Sequence, residues 1–155
     1  MSICPMGTDI LEHYERFQNG HWEAVDFLQR GEGPSSSRLA FIDRNYNLFG
    51  ILSNVRSVYT VAPIARSRGL PTDVSSTVAA RWAAVAYDDS LFGLSWVGLD
   101  ELLAFDWEQT ISSELKEYPP LICREAAGRF YQDTLPYLRA QVDDPAHLRI
   151  VFWFG

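Results

Sequence analysis

Around Asn19-Gly20 the chain alternates apolar and polar positions in the manner of two extended segments. Both turn residues tolerate positive φ, so the pair predicts a two-residue hairpin between Asp9 to Phe17 and His21 to Leu28. Such a loop sets the register. Phe17 then faces Trp22, Arg16 faces Glu23, Tyr14 faces Val25 and His13 faces Asp26, which brings aromatic and opposite-charge pairs together. At the far end, Leu148-Arg-Ile-Val-Phe-Trp-Phe154 is apolar without strict alternation. That pattern predicts a strand buried on both faces in the middle of a sheet, with the hairpin beside it.

Between these ends the period changes. Leu48, Ile51, Leu52 and Val55 fall on one helical stripe, with Asp43 as the expected N-cap. Arg44 would start this helix, where the macrodipole disfavours a cation unless an acidic side chain or bound anion lies close by; Arg56 would suit the other end. Val58 to Ile64 is apolar and β-branched but interrupted by Pro63. Asp73 or Ser75 can cap a helix running through Ala79 to Tyr87, closed by Asp88-Asp89-Ser90. Leu94 to Val97 reads as a short buried strand or extended segment, and Leu99, Leu102, Leu103 and Asp106 begin another helical pattern. Trp96 and Trp107 are expected as core or pocket walls. Pro119-Pro120 precedes Cys123 to Val142, the longest helical candidate, which Pro136 should kink or divide. Asp143-Asp144-Pro145 is a turn, and Gly31 to Ser37 is a loop, either a connection or a lid. The sum is an α+β domain over residues 1–155, with a mainly antiparallel sheet from an N-terminal hairpin and a C-terminal central strand, packed with helices.

Composition narrows the function classes. A chain of 155 residues, 47% hydrophobic, is long enough for one buried core and short for two domains. The net charge of −7 speaks against a nucleic-acid polymer as partner. Cys4 and Cys123 have no metal-ligand spacing, so no metal site or disulfide framework is expected, nor a cofactor. A basic leader and a membrane-length apolar run are both missing from the pattern, so a cytoplasmic protein with no membrane partner is expected.

Charge is uneven along the chain. Between Ser35 and Thr72 stand Arg38, Arg44, Arg56, Arg66 and Arg68 against Asp43 as the one carboxylate. The stretch Arg44 to Asp73 is therefore the expected site. Arg66 and Arg68 beside Gly69 can cradle an anion, since Gly69 permits a sharp turn and close backbone approach. They can equally form an ordinary surface turn whose arginines pair with carboxylates. His13 with Asp26 reads either as an oriented acid/base pair or as a cross-strand hydrogen bond.

The series MGTDI at 6 to 10, RNYNLF at 44 to 49, NVR at 54 to 56, RGLP at 68 to 71 with Asp73, SW at 95 to 96 and RIVFWF at 149 to 154 resembles a group of small proteins common in bacteriophage genomes. The likeness spans nearly the whole chain. Those relatives open MGxDIH and carry a DGHS-like stretch before SW, whereas Leu11 and DDSLFGL stand here. The resemblance implies that any chemistry of those histidines is missing, unless His13 or His21 substitutes. What survives grips and stacks, which leans toward binding over turnover. The expectation is a phage-type anti-defence protein in the host cytoplasm that sequesters an anionic nucleotide messenger, of the cyclic dinucleotide or cyclic ADP-ribose type, without cleaving it. Its ligand-binding residues would be Asp9, Arg44, Tyr46, Arg56, Arg66, Arg68, Gly69, Asp73 and Trp96, and a homodimer is a reasonable assembly. Two alternatives stay open. One is a nucleotide hydrolase or lyase using His13, Asp9 and Asp26 with Arg44 and Arg68; the other is an acidic module that inhibits a host effector.

Overall fold

A computed structural model describes residues 7–27 and 40–155; Cys4, Arg38 and the Gly31 to Ser37 loop lie outside them. In chain order the elements are β1 (Ile10–Gln18), β2 (His21–Val25), α1 (Tyr46–Ser53), α2 (Ser76–Val85), β3 (Phe92–Gly98), α3 (Leu99–Ala104), β4 (Thr110–Ile111), β5 (Leu121–Ile122), α4 (Cys123–Ala127), a π-helical turn (Phe130–Thr134), α5 (Leu135–Arg139), a 3-10 turn (Pro145–His147) and β6 (Leu148–Phe154). Four strands form an antiparallel sheet in the order β2-β1-β6-β3, and β4 pairs with β5 separately. The fold is α+β, as the pattern predicts. Among the described residues no helix is long and apolar enough to cross a membrane.

The hairpin has the expected register: Tyr14 pairs with Val25, Arg16 with Glu23 and Phe17 with Trp22. Asn19 and Gly20 both have positive φ, 56° and 81°. Every residue of β6 is buried, because β1 and β3 flank its edges and helices cover both faces. Asp9 and Gly155 extend the pairing of β1 with β6, the Asp9 amide donating to the Gly155 carbonyl at 2.8 Å and the reverse bond measuring 3.0 Å.

Side-chain alternation gives the sheet two unlike faces. Leu148, Ile150, Phe152 and Phe154 point toward α1, where Leu48, Phe49, Ile51 and Leu52 are fully buried. Phe49 meets Phe154 edge-on at 5.2 Å between ring centroids. Burying each such side chain contributes about 1.5–3 kcal/mol, so this face holds the main core. Arg149, Val151 and Trp153 point the other way, and Trp82 of α2 packs on Trp153 at 5.0 Å.

Local expectations differ from the structure at several points. The N-cap of α1 is Asn45, whose side chain accepts from the Leu48 amide and donates to the Ala126 carbonyl at 2.8 Å. Asp43 can do only the first of these, and Arg44 thereby falls outside the helix. Arg56 lies past the left-handed C-cap Asn54 and reaches back to Tyr46 at the start of α1 instead of serving its end. The Cys123 to Val142 segment is divided three ways. Gly128, at φ 56°, stops α4, and the π-helical turn brings Pro136 into the first turn of α5, where its missing N–H costs nothing. Of the two caps expected for α2, Ser75 is the one used, its side chain accepting from the Val78 amide.

The turn gives a clean stability test. A Cβ on Gly20 would meet nothing within 4 Å, so Gly20→Ala adds only backbone strain. It should lower unfolding free energy by about 1–2 kcal/mol in urea titration without changing the near-UV spectrum.

Candidate ligand-binding groove

The second face of the sheet is built around an arginine in an otherwise apolar strand. Arg149 of β6 stands opposite Glu15 of β1 and Gly98 of β3. Opposite residues share a face, so Arg149 and Glu15 project together, and Trp22 and Trp96 project beside them through the Phe17 and Val151 pairings. Gly98 leaves room over the strand that a side chain would fill.

Arg149 is 3% exposed and Glu15 wholly buried. Nε of Arg149 donates to Glu15 Oε1 at 2.7 Å, Nη1 to Asp73 Oδ1 at 2.8 Å, and Nη2 to the Asp73 carbonyl at 3.3 Å. The second oxygen of Glu15 accepts from the Ser75 amide at 2.7 Å, just where Ser75 caps α2. Trp22 closes the group from above. Its Nε1 donates to Asp73 Oδ2 at 3.1 Å, and its ring lies 3.8 Å from the Arg149 guanidinium carbon. A buried charge is tolerable only when its hydrogen-bonding groups are met in this way.

Arg68 forms the neighbouring wall. Its Nη1 and Nη2 bind both oxygens of Glu101, each at 2.6 Å, and donate also to the carbonyls of Trp96 and Ile64. Its guanidinium carbon sits 4.7 Å from the Trp96 ring centre. The backbone lets it reach this place: Ser67 and Gly69 both take positive φ, the Arg68 amide donates to Ser95 Oγ, and the Gly69 amide donates to the Leu94 carbonyl. Trp22, Arg149, Trp96 and Arg68 therefore alternate ring and guanidinium, with Arg149 also 5.7 Å from the centre of Trp96.

An open groove of about 890 Å³ lies along this face. Trp22, Trp96, Arg68, Asp73, Asp100 and Glu101 line it, with Leu70, Pro71, Thr72, Gly98, Ala146 and Arg149 completing the wall. The hydrogen bond from Arg149 holds the Asp73 carboxyl below the usual carboxylate range, and that from Arg68 does the same for Glu101. Glu101 also accepts from the Gly98 amide at 3.1 Å, at the start of α3, where acidic residues suit the macrodipole. A Cβ on Gly98 would meet Asp100 Oδ1 at 2.2 Å, so a side chain there would push the Asp100 carboxylate aside.

The sequence-predicted residues divide into two sets. Arg68, Asp73 and Trp96 line the groove, and Gly69 forms the turn beside it. Asp9, Arg44, Tyr46 and Arg56 gather at the opposite end of the sheet, beyond the Ile10–Phe154 pair. Five residues of β6 separate that end from Arg149, about 17 Å of strand. There Arg44 donates to Asp9 at 2.8 Å, the acidic neighbour its position called for. The Tyr46 hydroxyl accepts from the Thr8 amide at 2.9 Å and from Arg56 at 3.3 Å, which lowers its pKa from the usual phenol value. Arg66 is exposed and lines neither set. The His13–Asp26 pairing lies beyond the ladder, which ends at Val25. His13 stacks on Trp153 with Nδ1 3.3 Å from Arg81, and the same arginine is 3.9 Å from Asp26.

Trp22, Asp100, Glu101 and Arg149 were not picked out by sequence reasoning. One signal was available for Arg149: a lone cation in a fully buried strand must have carboxylate partners. Among the described residues no three His, Cys, Asp or Glu side chains are grouped to hold a metal ion. Comparison with protein-family models, curated proteins and solved structures finds no match.

Two measurements test the ion-pair floor. Glu15→Leu leaves Arg149 with half its charge compensation in a buried place, and should cost about 3 kcal/mol in chemical denaturation. Because the folded Asp73 carboxyl is depressed, the stability it adds is present above its unfolded pKa and is lost as pH falls through the folded value. Asp73→Asn should therefore flatten the acid limb of a Tm-against-pH curve, with Glu101→Gln doing the same through Arg68.

Proposed function

We propose that this protein binds a nucleotide-derived ligand in the groove between Trp22 and Trp96 and sequesters it intact. The observation that carries the reading is the pair of half-buried indoles beside fixed carboxylates, around an open volume of about 890 Å³. That volume is in the upper range for small-molecule sites, and aromatic walls with a few convergent polar groups are what a ring-bearing ligand uses. The groove's geometry is pre-set, because Trp22, Arg149, Asp73, Arg68 and Glu101 hold one another.

Binding is favoured over turnover by the state of those carboxylates. The oxygens of Asp73 and Glu101 already accept from Arg149, Trp22, Arg68 and the Gly98 amide, so neither carboxylate is free to take a proton from a ligand. The resemblance to small bacteriophage proteins supports the biological setting: an anti-defence protein that takes up an immune second messenger of the cyclic dinucleotide or cyclic ADP-ribose type.

The test is capture and release. Purified protein is incubated with a panel of cyclic dinucleotides and cyclic ADP-ribose isomers, recovered by filtration and heat-denatured, and the released molecule is identified. One intact nucleotide should be recovered. Trp96→Ala should reduce its retention about tenfold, whereas Arg44→Ala, at the far end of the sheet, should leave it within about twofold. A converted product would replace the binding reading with an enzymatic one, and no retention of any nucleotide would remove it.

A further inference from the structure

The fork of an arginine is a strong and common grip on phosphate. Neither arginine of this groove has that fork to offer. Arg149 is 3% exposed beneath Trp22, and three of its five N–H groups, one on each nitrogen, donate to Glu15 or Asp73. In Arg68 both terminal nitrogens donate twice, to the two oxygens of Glu101 and to the carbonyls of Trp96 and Ile64. Those four bonds account for every N–H on the terminal nitrogens. A phosphate could claim Arg68 only by displacing Glu101, and the displaced carboxylate would then stand against it.

The charge balance points the same way. Asp73, Asp100 and Glu101 outnumber Arg68 and Arg149 along the walls, and Glu15 lies beneath the floor. A dianion entering the groove meets net repulsion, while a neutral or donor-rich group meets acceptors. Asp100 is exposed on the wall next to Glu101 and is in no ion pair among the described residues. Vicinal hydroxyls or an exocyclic amine are suitable donors to such a carboxylate.

We infer that the groove reads the ring and the hydroxyl or amino donors of its ligand, a nucleoside moiety, and leaves the phosphate in solvent. Trp22 and Trp96 take the planar ring, Asp100 accepts from the sugar or base, and the two arginines hold the walls without touching the anion. This inference rests on the nucleotide reading above and narrows it.

The experiment compares ligands with and without phosphate. The four ribonucleosides, their 5′-monophosphates, ADP-ribose and inorganic pyrophosphate are titrated into the protein by calorimetry, at about 50 and about 300 mM sodium chloride. The best nucleoside should bind within about threefold of its monophosphate, and pyrophosphate should not displace it. Affinity should change less than about twofold between the two salts, since no phosphate is being neutralised. Asp100→Asn should weaken binding about fivefold while lowering Tm by no more than the loss of one first-turn charge on α3, and Trp96→Phe, which keeps a ring, should retain more affinity than Trp96→Leu. A monophosphate more than about tenfold tighter than its nucleoside, or displacement by pyrophosphate, overturns the inference while leaving capture of nucleotides intact. Failure of every nucleoside and nucleotide here overturns the inference, and overturns the nucleotide reading as well when the capture panel also retains nothing.

Discussion

The burial of Arg149 is the constraint on which the rest of the structure depends. A guanidinium in the central strand of a sheet has no water to fall back on, so its donors must be met by protein. They are met by Glu15 from the neighbouring strand and Asp73 from the approach to α2, and Glu15 in turn holds the Ser75 amide where that helix begins. One buried charge thereby settles the position of β1 against β6, the path of residues 73 to 75 and the placement of α2. The apolar face opposite supplies most of the burial energy, while this polar face is selective, because a shifted register would strand a charge.

The groove is a consequence of the same requirement. Carboxylates brought in to neutralise Arg149 and Arg68 line the walls, and the indoles that cover the two guanidinium groups become the surfaces a ligand would meet. Arginine content in the chain therefore does not count the guanidinium groups left free after internal pairing. What matters is how many N–H groups remain after internal pairing, and the terminal nitrogens of Arg68 have none left. The alternation of ring and guanidinium leaves rings and acceptors, in place of free cations, along the wall.

Much of the fold was legible along the chain. Asn19-Gly20 determined the hairpin register, because only a two-residue loop with positive φ at both positions fits those flanks. The apolar run of β6, broken by Arg149 alone, predicted its central place. Leu48, Ile51 and Leu52 of the expected helical stripe are buried, while Val55 lies past the end of α1 and is half-buried. Boundaries were harder. Asn45 outcompetes Asp43 as the cap of α1 through its amide bond to Ala126, a residue 81 positions away. The segment after Cys123 carries helical spacing throughout, but Gly128 and a π-helical turn interrupt it for reasons that lie in packing.

Periodicity, turn chemistry and composition act over a few residues, and to that extent the sequence by itself determined the antiparallel sheet, its hairpin register and the buried central strand. Convergence of the polar groups was decided only by tertiary structure. Arg149 meets Glu15 across 134 positions and Asp73 across 76, and Arg68 meets Glu101 across 33. Whether an arginine is free for a ligand depends on which carboxylate the folded chain brings to it. For that reason Arg44 and Arg68, equivalent as cations in the sequence, stand at opposite ends of one sheet, each already paired.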